Sequence, residues 1–168
     1  MQVPLLDLKP QYQQIKAEVD TEIQEIVASQ YFILGPKVEK LERDIADYCG
    51  VEDAVGVSSG TDALIIALMA ANVSPGDLVL TTPYTFFATG GSISRLGARP
   101  VFVDIDPVTY NLSPEALVQV FDGLSKADQD RVKAVIPVHL YGQCAEMNPI
   151  LDWAQSRGIA VIEDAAQA

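Results

Sequence analysis

Val55-Gly56-Val57-Ser58-Ser59-Gly60-Thr61-Asp62-Ala63-Leu64 reads as the end of a buried strand, a tight turn and the first residues of a helix. A short apolar run gives way to small hydroxylated residues, and Gly60 allows a close backbone approach where the helix begins. The same rhythm repeats downstream. Apolar runs at 54–57, 78–80, 101–103, 134–138 and 159–162 alternate with helical stretches near 61–73, 86–96, 114–122 and 146–157. Ser113-Pro114-Glu115 is a helix start, and Gly97 and Gly158 are stops that hand over to strands. Strands that are apolar throughout and separated by helices predict an α/β fold. It is a mostly parallel sheet flanked by helices on both faces.

Upstream of residue 51 the pattern is purely helical. Tyr12, Ile15, Val19, Ile23, Ile26 and Val27 recur at spacings of three and four. The loop Tyr31-Phe32-Ile33-Leu34-Gly35-Pro36 ends that helix, and a second one carries Val38, Leu41, Ile45 and Tyr48 before Gly50. The expected organisation is therefore an N-terminal helical segment over residues 1–50 and an α/β domain over 51–168.

Composition narrows the function. Apolar residues make up 49% and charged residues 20% of the 168, which suits a globular chain with a sizeable core. Lys plus Arg total 11 against 23 Asp plus Glu, a net charge of -12. So acidic a chain is poorly suited to nucleic acid or an anionic membrane surface. A small phosphorylated molecule stays open, because backbone amides bind phosphate without basic side chains. Cys49 and Cys144 form no C-x-x-C pair, and His139 is the lone histidine, so a Cys/His metal centre is not expected. No apolar run reaches the roughly 18 residues of a membrane helix, and the N-terminus lacks a secretory-signal pattern. The chain reads as cytoplasmic.

Ligands of open α/β sheets sit beyond the carboxyl ends of the strands. Three segments there carry chemistry. Ser58 to Asp62 offers free helix N–H groups and the Thr61 hydroxyl to an anion. It is neither a Walker loop nor a G-x-G-x-x-G fingerprint, which argues against a Rossmann-type nucleotide domain. Thr82 to Thr89 places Phe86 or Phe87 where a flat ligand would stack. Glu163-Asp164 closes an apolar strand with two carboxylates, of which alternation puts one on each face without choosing between them.

Taken together, Ser58 to Leu64, Thr82 to Thr89, Pro137 to Gln143 (which includes His139) and Val161 to Ala168 resemble, in that order, the DegT/DnrJ/StrS family. These are sugar-nucleotide aminotransferases dependent on pyridoxal 5'-phosphate, with the fold type I architecture. The likeness runs from Leu6-Asp7-Leu8 to the last residue. It is nearest to members that aminate C3 of a keto sugar nucleotide. The resemblance implies that Gly60, Thr61 and the backbone amide of Asp62 hold the cofactor phosphate, and that Phe86 stacks on the pyridine ring. It further implies that Asp164 pairs with the ring nitrogen, Gln167 bonds the phenolic oxygen, and His139 lies near the site. It implies glutamate as amino donor, a homodimer in the parent enzyme, and a role in polysaccharide or amino-sugar biosynthesis.

The family's Schiff-base lysine follows in a later S-x-x-x-x-K motif. Lys9, Lys16, Lys37, Lys40, Lys126 and Lys133 all lie elsewhere. The expectation is an incomplete large domain of that fold type, inactive by itself and binding the cofactor weakly or not at all, with a non-catalytic binding or dimerisation module as the alternative. In the family's strand order, the first strand is separated from the fifth by the two that come last in sequence. The strand at 54–57 is therefore expected to lack a partner, and the phosphate loop after it to be detached from Asp164.

Overall fold

The computed structural model describes residues 4–168. They fall into two compact units, one ending at Gly56 and the other running from Val57 to Ala168. The division comes a few residues later than the expected one after residue 50.

The first unit consists of α1 (Lys9–Ser29) and α2 (Pro36–Cys49). Pro36 occupies the first turn of α2, where its missing N–H costs nothing, and Gly50 ends the helix in the left-handed region at φ 65°. Lys37 reaches back to Glu22 and Glu25 of α1. The Gly56 amide donates to Glu42 Oε1 at 2.7 Å.

The second unit is α/β. In chain order it contains α3 (Gly60–Ala70), β1 (Leu78–Thr81), α4 (Phe87–Arg95), β2 (Arg99–Phe102), α5 (Pro114–Asp122), α6 (Lys126–Gln129), β3 (Val132–Ile136), α7 (Met147–Gln155) and β4 (Ala160–Val161). The strands pair in parallel in the order β2-β1-β3-β4. The helical turn at α6 lies between the helical stretch at 114–122 and the apolar run at 134–138; Ser125 caps it by accepting from the Asp128 amide.

Side-chain alternation divides the core between the two sheet faces. Leu78 and Leu80 of β1 pack with Val135, Leu117 of α5 and Ile150 and Trp153 of α7. Val79 of the same strand points the other way, to Ala134 and Ile136, Leu64 and Leu68 of α3, and Ile93 of α4. Fully burying one such Leu or Ile contributes about 1.5–3 kcal/mol relative to leaving it exposed. Among the described residues no helix is long and apolar enough to cross a membrane.

One expected strand is not formed. Residues 54–57 adopt no strand structure, and Val55 and Val57 stay exposed. The lack of a pairing neighbour anticipated for this run leaves its backbone without a ladder to join, so its apolar character alone does not make it a strand.

Candidate functional site

The carboxyl ends of the strands carry a pocket of about 420 Å³, lined among others by Gly60, Thr61, Phe86, Glu163, Asp164 and Gln167. The expected detachment of the Ser58 to Asp62 loop is therefore not seen. Leu64 and Leu68 anchor α3 on the sheet, and that packing carries its first turn to the strand ends without support from a strand at 54–57.

Asp164 is the polar centre of the pocket. It is 9% exposed, and its backbone continues the sheet: its N–H donates to the Pro137 carbonyl at 2.9 Å, and its carbonyl accepts from the His139 amide at 3.0 Å. Its Oδ2 accepts from Thr89 Oγ1 at 2.8 Å, and its Oδ1 from the Ala166 amide at 3.3 Å. Because Thr89 has a single hydroxyl proton and gives it to Asp164, Thr85 must be the donor in the 2.8 Å Thr85–Thr89 contact. A chain of hydroxyls thus fixes the carboxylate. Two protein donors leave acceptor capacity on a group that would be costly to bury without further bonding.

Glu163 turns elsewhere. Its Oε2 meets His139 Nε2 at 2.8 Å, and His139 Nδ1 accepts from the Ala145 amide at 3.2 Å. With Nδ1 an acceptor, the proton sits on Nε2 and points at Glu163. The two carboxylates that periodicity left open are thereby told apart: Asp164 is buried against Thr89, and Glu163 is half-exposed against the buried His139.

At the first turn of α3, Ser59 caps the helix by accepting from the Asp62 amide at 3.1 Å, and its carbonyl accepts from the Ala63 amide at 2.9 Å. Asp62 itself does not line the pocket; its carboxylate is taken up by the Ser58 and Ser59 hydroxyls, which hold it below the usual carboxylate range. The amides of Gly60 and Thr61 have no acceptor among the described residues. A Cβ added at Gly60 would meet nothing within 4 Å, so the space beside the free amides is open to a ligand. Phe86 is the residue preceding α4, and its ring stands largely exposed in the pocket wall. Gln167 accepts from the Tyr141 amide through Oε1 at 3.1 Å, which leaves its amide NH2 group to donate.

The donor set fits pyridoxal 5'-phosphate. Unpaired amides at a helix N-terminus suit the phosphate, an exposed aromatic face suits the ring, and a buried carboxylate suits a protonated ring nitrogen. Sequence reading passed over Thr89 and Thr85. Their signal was two threonines four residues apart in a segment otherwise taken for its aromatics. No lysine lines the pocket; Lys126 and Lys133 border a separate hollow with Arg157. No group of acidic, His or Cys side chains able to hold a metal occurs among the described residues.

The profile of the DegT/DnrJ/EryC1/StrS aminotransferase family matches residues 13–168. The chain is 52% identical over all 168 residues to a pleiotropic regulatory protein of Geobacillus stearothermophilus, of which it covers 43%. It is 46% identical over 166 residues, 99% of its length, to the UDP-2-acetamido-2-deoxy-3-oxo-D-glucuronate aminotransferase of Pseudomonas aeruginosa, of which it covers 44%. Among solved structures, S. venezuelae DesV in complex with a ketimine intermediate superposes with a TM-score of 0.91 at 38% identity, over 99% of this chain and 43% of that one. NtdA of Bacillus subtilis with bound cofactor PMP does so with a TM-score of 0.88 at 30% identity, over 99% and 37%. The chain thus spans less than half the length of these relatives.

Proposed function

The chain belongs to the DegT/DnrJ/EryC1/StrS aminotransferase family, and from that premise we propose that it is the N-terminal, cofactor-cradling part of a pyridoxal 5'-phosphate-dependent aminotransferase. The reaction is transfer of an amino group, from glutamate, to a keto sugar nucleotide in polysaccharide or amino-sugar biosynthesis. The enzyme is a cytoplasmic homodimer. The observation that carries the reading is the buried Asp164 carboxylate, braced by Thr89, in one pocket with the free amides of Gly60 and Thr61 and the exposed ring of Phe86.

When bound, the cofactor would supply an electron sink for the amino-group transfer. The residues do the rest. Gly60 and Thr61 hold the phosphate through backbone N–H groups, with the Thr61 hydroxyl beside them. Phe86 covers one face of the ring. Asp164 keeps a proton on the ring nitrogen, Thr89 keeps Asp164 aimed, and Gln167 donates its amide to the phenolic oxygen. The proton carrier and covalent tether, in this reading, is a lysine outside these 168 residues.

Two measurements test it. The 168-residue chain treated with pyridoxal phosphate and borohydride should show no single stoichiometrically labelled lysine by mass spectrometry. In the full-length enzyme, with glutamate and UDP-2-acetamido-2-deoxy-3-oxo-D-glucuronate, Asp164→Asn should lower turnover about 10²–10³-fold, the scale of losing one preorganised charge contact. Phe86→Ala should weaken cofactor retention more than turnover. Near-normal turnover in Asp164→Asn would sink the assignment. A second reading, a binding or dimerisation module that performs no transamination, is favoured by the absence of any lysine from the pocket wall. Labelling of one lysine in the full-length enzyme, outside these 168 residues, would remove it.

A further inference from the structure

Beside the cofactor pocket, three loops that follow β1, β2 and β3 bring Tyr84, Tyr110 and Tyr141 together. The Tyr84 and Tyr110 rings are 5.9 Å apart between centroids, and the Tyr84 and Tyr141 hydroxyls are 3.3 Å apart. We propose that these tyrosines form the platform that receives the sugar ring of the amino-acceptor substrate; the inference rests on the aminotransferase reading above.

The backbone beneath the cluster is held in unusual conformations. Tyr110 and Tyr141 both lie in the left-handed region, at φ 60° and 55°, which bulky residues avoid unless the surroundings impose it. The surroundings here are buried and polar. Asn111, 2% exposed, accepts from the Leu140 amide at 3.0 Å and donates to the Gln143 carbonyl at 2.9 Å, clamping the turn that carries Tyr141 to the neighbour of Tyr110. Buried Thr82 accepts from the Tyr84 amide at 3.1 Å. Gln167, already in the pocket wall, holds the Tyr141 amide. Yet the side chains so positioned remain out in solvent, Tyr141 at 73% exposure. Strained backbone and buried polar clamps spent on exposed rings indicate a surface kept ready for a ligand rather than for the core.

Charge selects the ligand. Residues 82–86, 103–113 and 137–146, which make up these loops, contain Asp104, Asp106 and Glu146 and no Lys or Arg. A diphosphate finds no cation there, whereas a neutral, hydroxylated ring finds aromatic faces for its C–H surface and phenols for its hydroxyls. The Tyr141 hydroxyl holds the Tyr84 phenol above its usual range, so Tyr84 remains a neutral donor and acceptor at physiological pH. Thr85 and Gln167 both line the cofactor pocket and adjoin the cluster, so a sugar on the platform is next to the reacting group.

The experiment uses the full-length enzyme and separates the two half-reactions. Cofactor absorbance with glutamate alone reports the donor half; KM for the keto sugar nucleotide named above reports the acceptor half. Tyr84→Phe and Tyr141→Phe keep the rings and remove the hydroxyls. Each should raise the acceptor KM about 3–10-fold, the scale of one neutral hydrogen bond, and leave the donor half-reaction unchanged. Tyr141→Gly suits the left-handed backbone, so the melting temperature should hold or rise while the acceptor KM rises about tenfold or more. An active wild type whose variants keep the acceptor KM would overturn the platform alone. So would variants that slow both half-reactions equally. A wild type that performs no glutamate half-reaction would take down the aminotransferase reading, and this inference with it.

Discussion

Two helices rich in apolar residues meet opposite fates in the two compact units. Helix α1, 21 residues long, buries none of its side chains; Tyr12, Ile15, Ile23 and Val27 all stay exposed. Helix α3, with 11 residues, buries Leu64 and Leu68 against Val79, Ala134 and Ile136. Periodicity reports that a segment forms a helix with an apolar face. What covers that face depends on elements distant in sequence, and among the described residues only the second unit holds a sheet. Truncating side chains should expose the contrast most strongly. Leu68→Ala should destabilise the chain by about 2–5 kcal/mol through lost burial and a cavity. Ile15→Ala should change stability by less than about 0.5 kcal/mol, as surface substitutions do. Urea unfolding of both variants makes the comparison; equal losses would show that α1 is packed on something after all.

Two apolar runs sharpen the same lesson. Leu78-Val79-Leu80 becomes β1, buried on both sides between β2 and β3. Ala54-Val55-Gly56-Val57 reads almost identically and forms no strand. Composition and flanking turns were legible in both, and the family's strand order already left the second without a partner; that an unpartnered run forms no strand at all was not read from it. The helices at 114–122 and 87–95 were legible because a Ser-Pro-Glu start and a Gly stop mark them locally. At the site, position past the apolar runs pointed to the segments, and the family resemblance picked Gly60, Thr61, Phe86, Asp164 and Gln167 within them; the structure lines one pocket with those five. Asp62 could be placed at a helix start, but not the competition for its amide, which Ser59 wins. The contacts of Thr89, Asn111 and the tyrosine cluster were out of reach, since the partners lie 75, 29 and 57 residues away for Thr89–Asp164, Asn111–Leu140 and Tyr84–Tyr141.

Helix starts give a smaller contrast between the units. In the second, Ser59, Ser113 and Ser125 each accept from the backbone amide three residues on, while α4 and α7 start without a side-chain cap. In the first, Leu8 and Gly35 precede α1 and α2 without a side-chain cap. Ser113→Ala should therefore cost about 1 kcal/mol. Amide exchange should accelerate first at Ala116, whose N–H loses its acceptor. A loss spread evenly over both units would mean that the cap is not a local device.

The smallest effects separate two ways of stabilising a surface carboxylate. In the first unit Asp20 is held below the usual range chiefly by its hydrogen bond to Lys16, its partner one turn earlier on α1. In the second, Asp106 is lowered chiefly by the amides of Thr109 and Val108, which donate to its Oδ1 at 2.8 and 2.9 Å. The sign is the same for both. A depressed folded value means that the contribution is complete above the unfolded value of about 3.9 and is lost as pH falls through the lower folded value. Their response to salt differs. The Lys16 ammonium is a mobile, exposed charge, and its attraction is screened as the Debye length shrinks from about 10 Å at 0.1 M to about 3 Å at 1 M. The Thr109 and Val108 amides are fixed in the turn and carry no net charge. Carboxyl-carbon NMR titrations at low and high salt should therefore show Asp20 moving toward its unfolded value while Asp106 stays put. If the two move together, the turn at Asp106 owes its depressed value to a net charge nearby rather than to backbone donors.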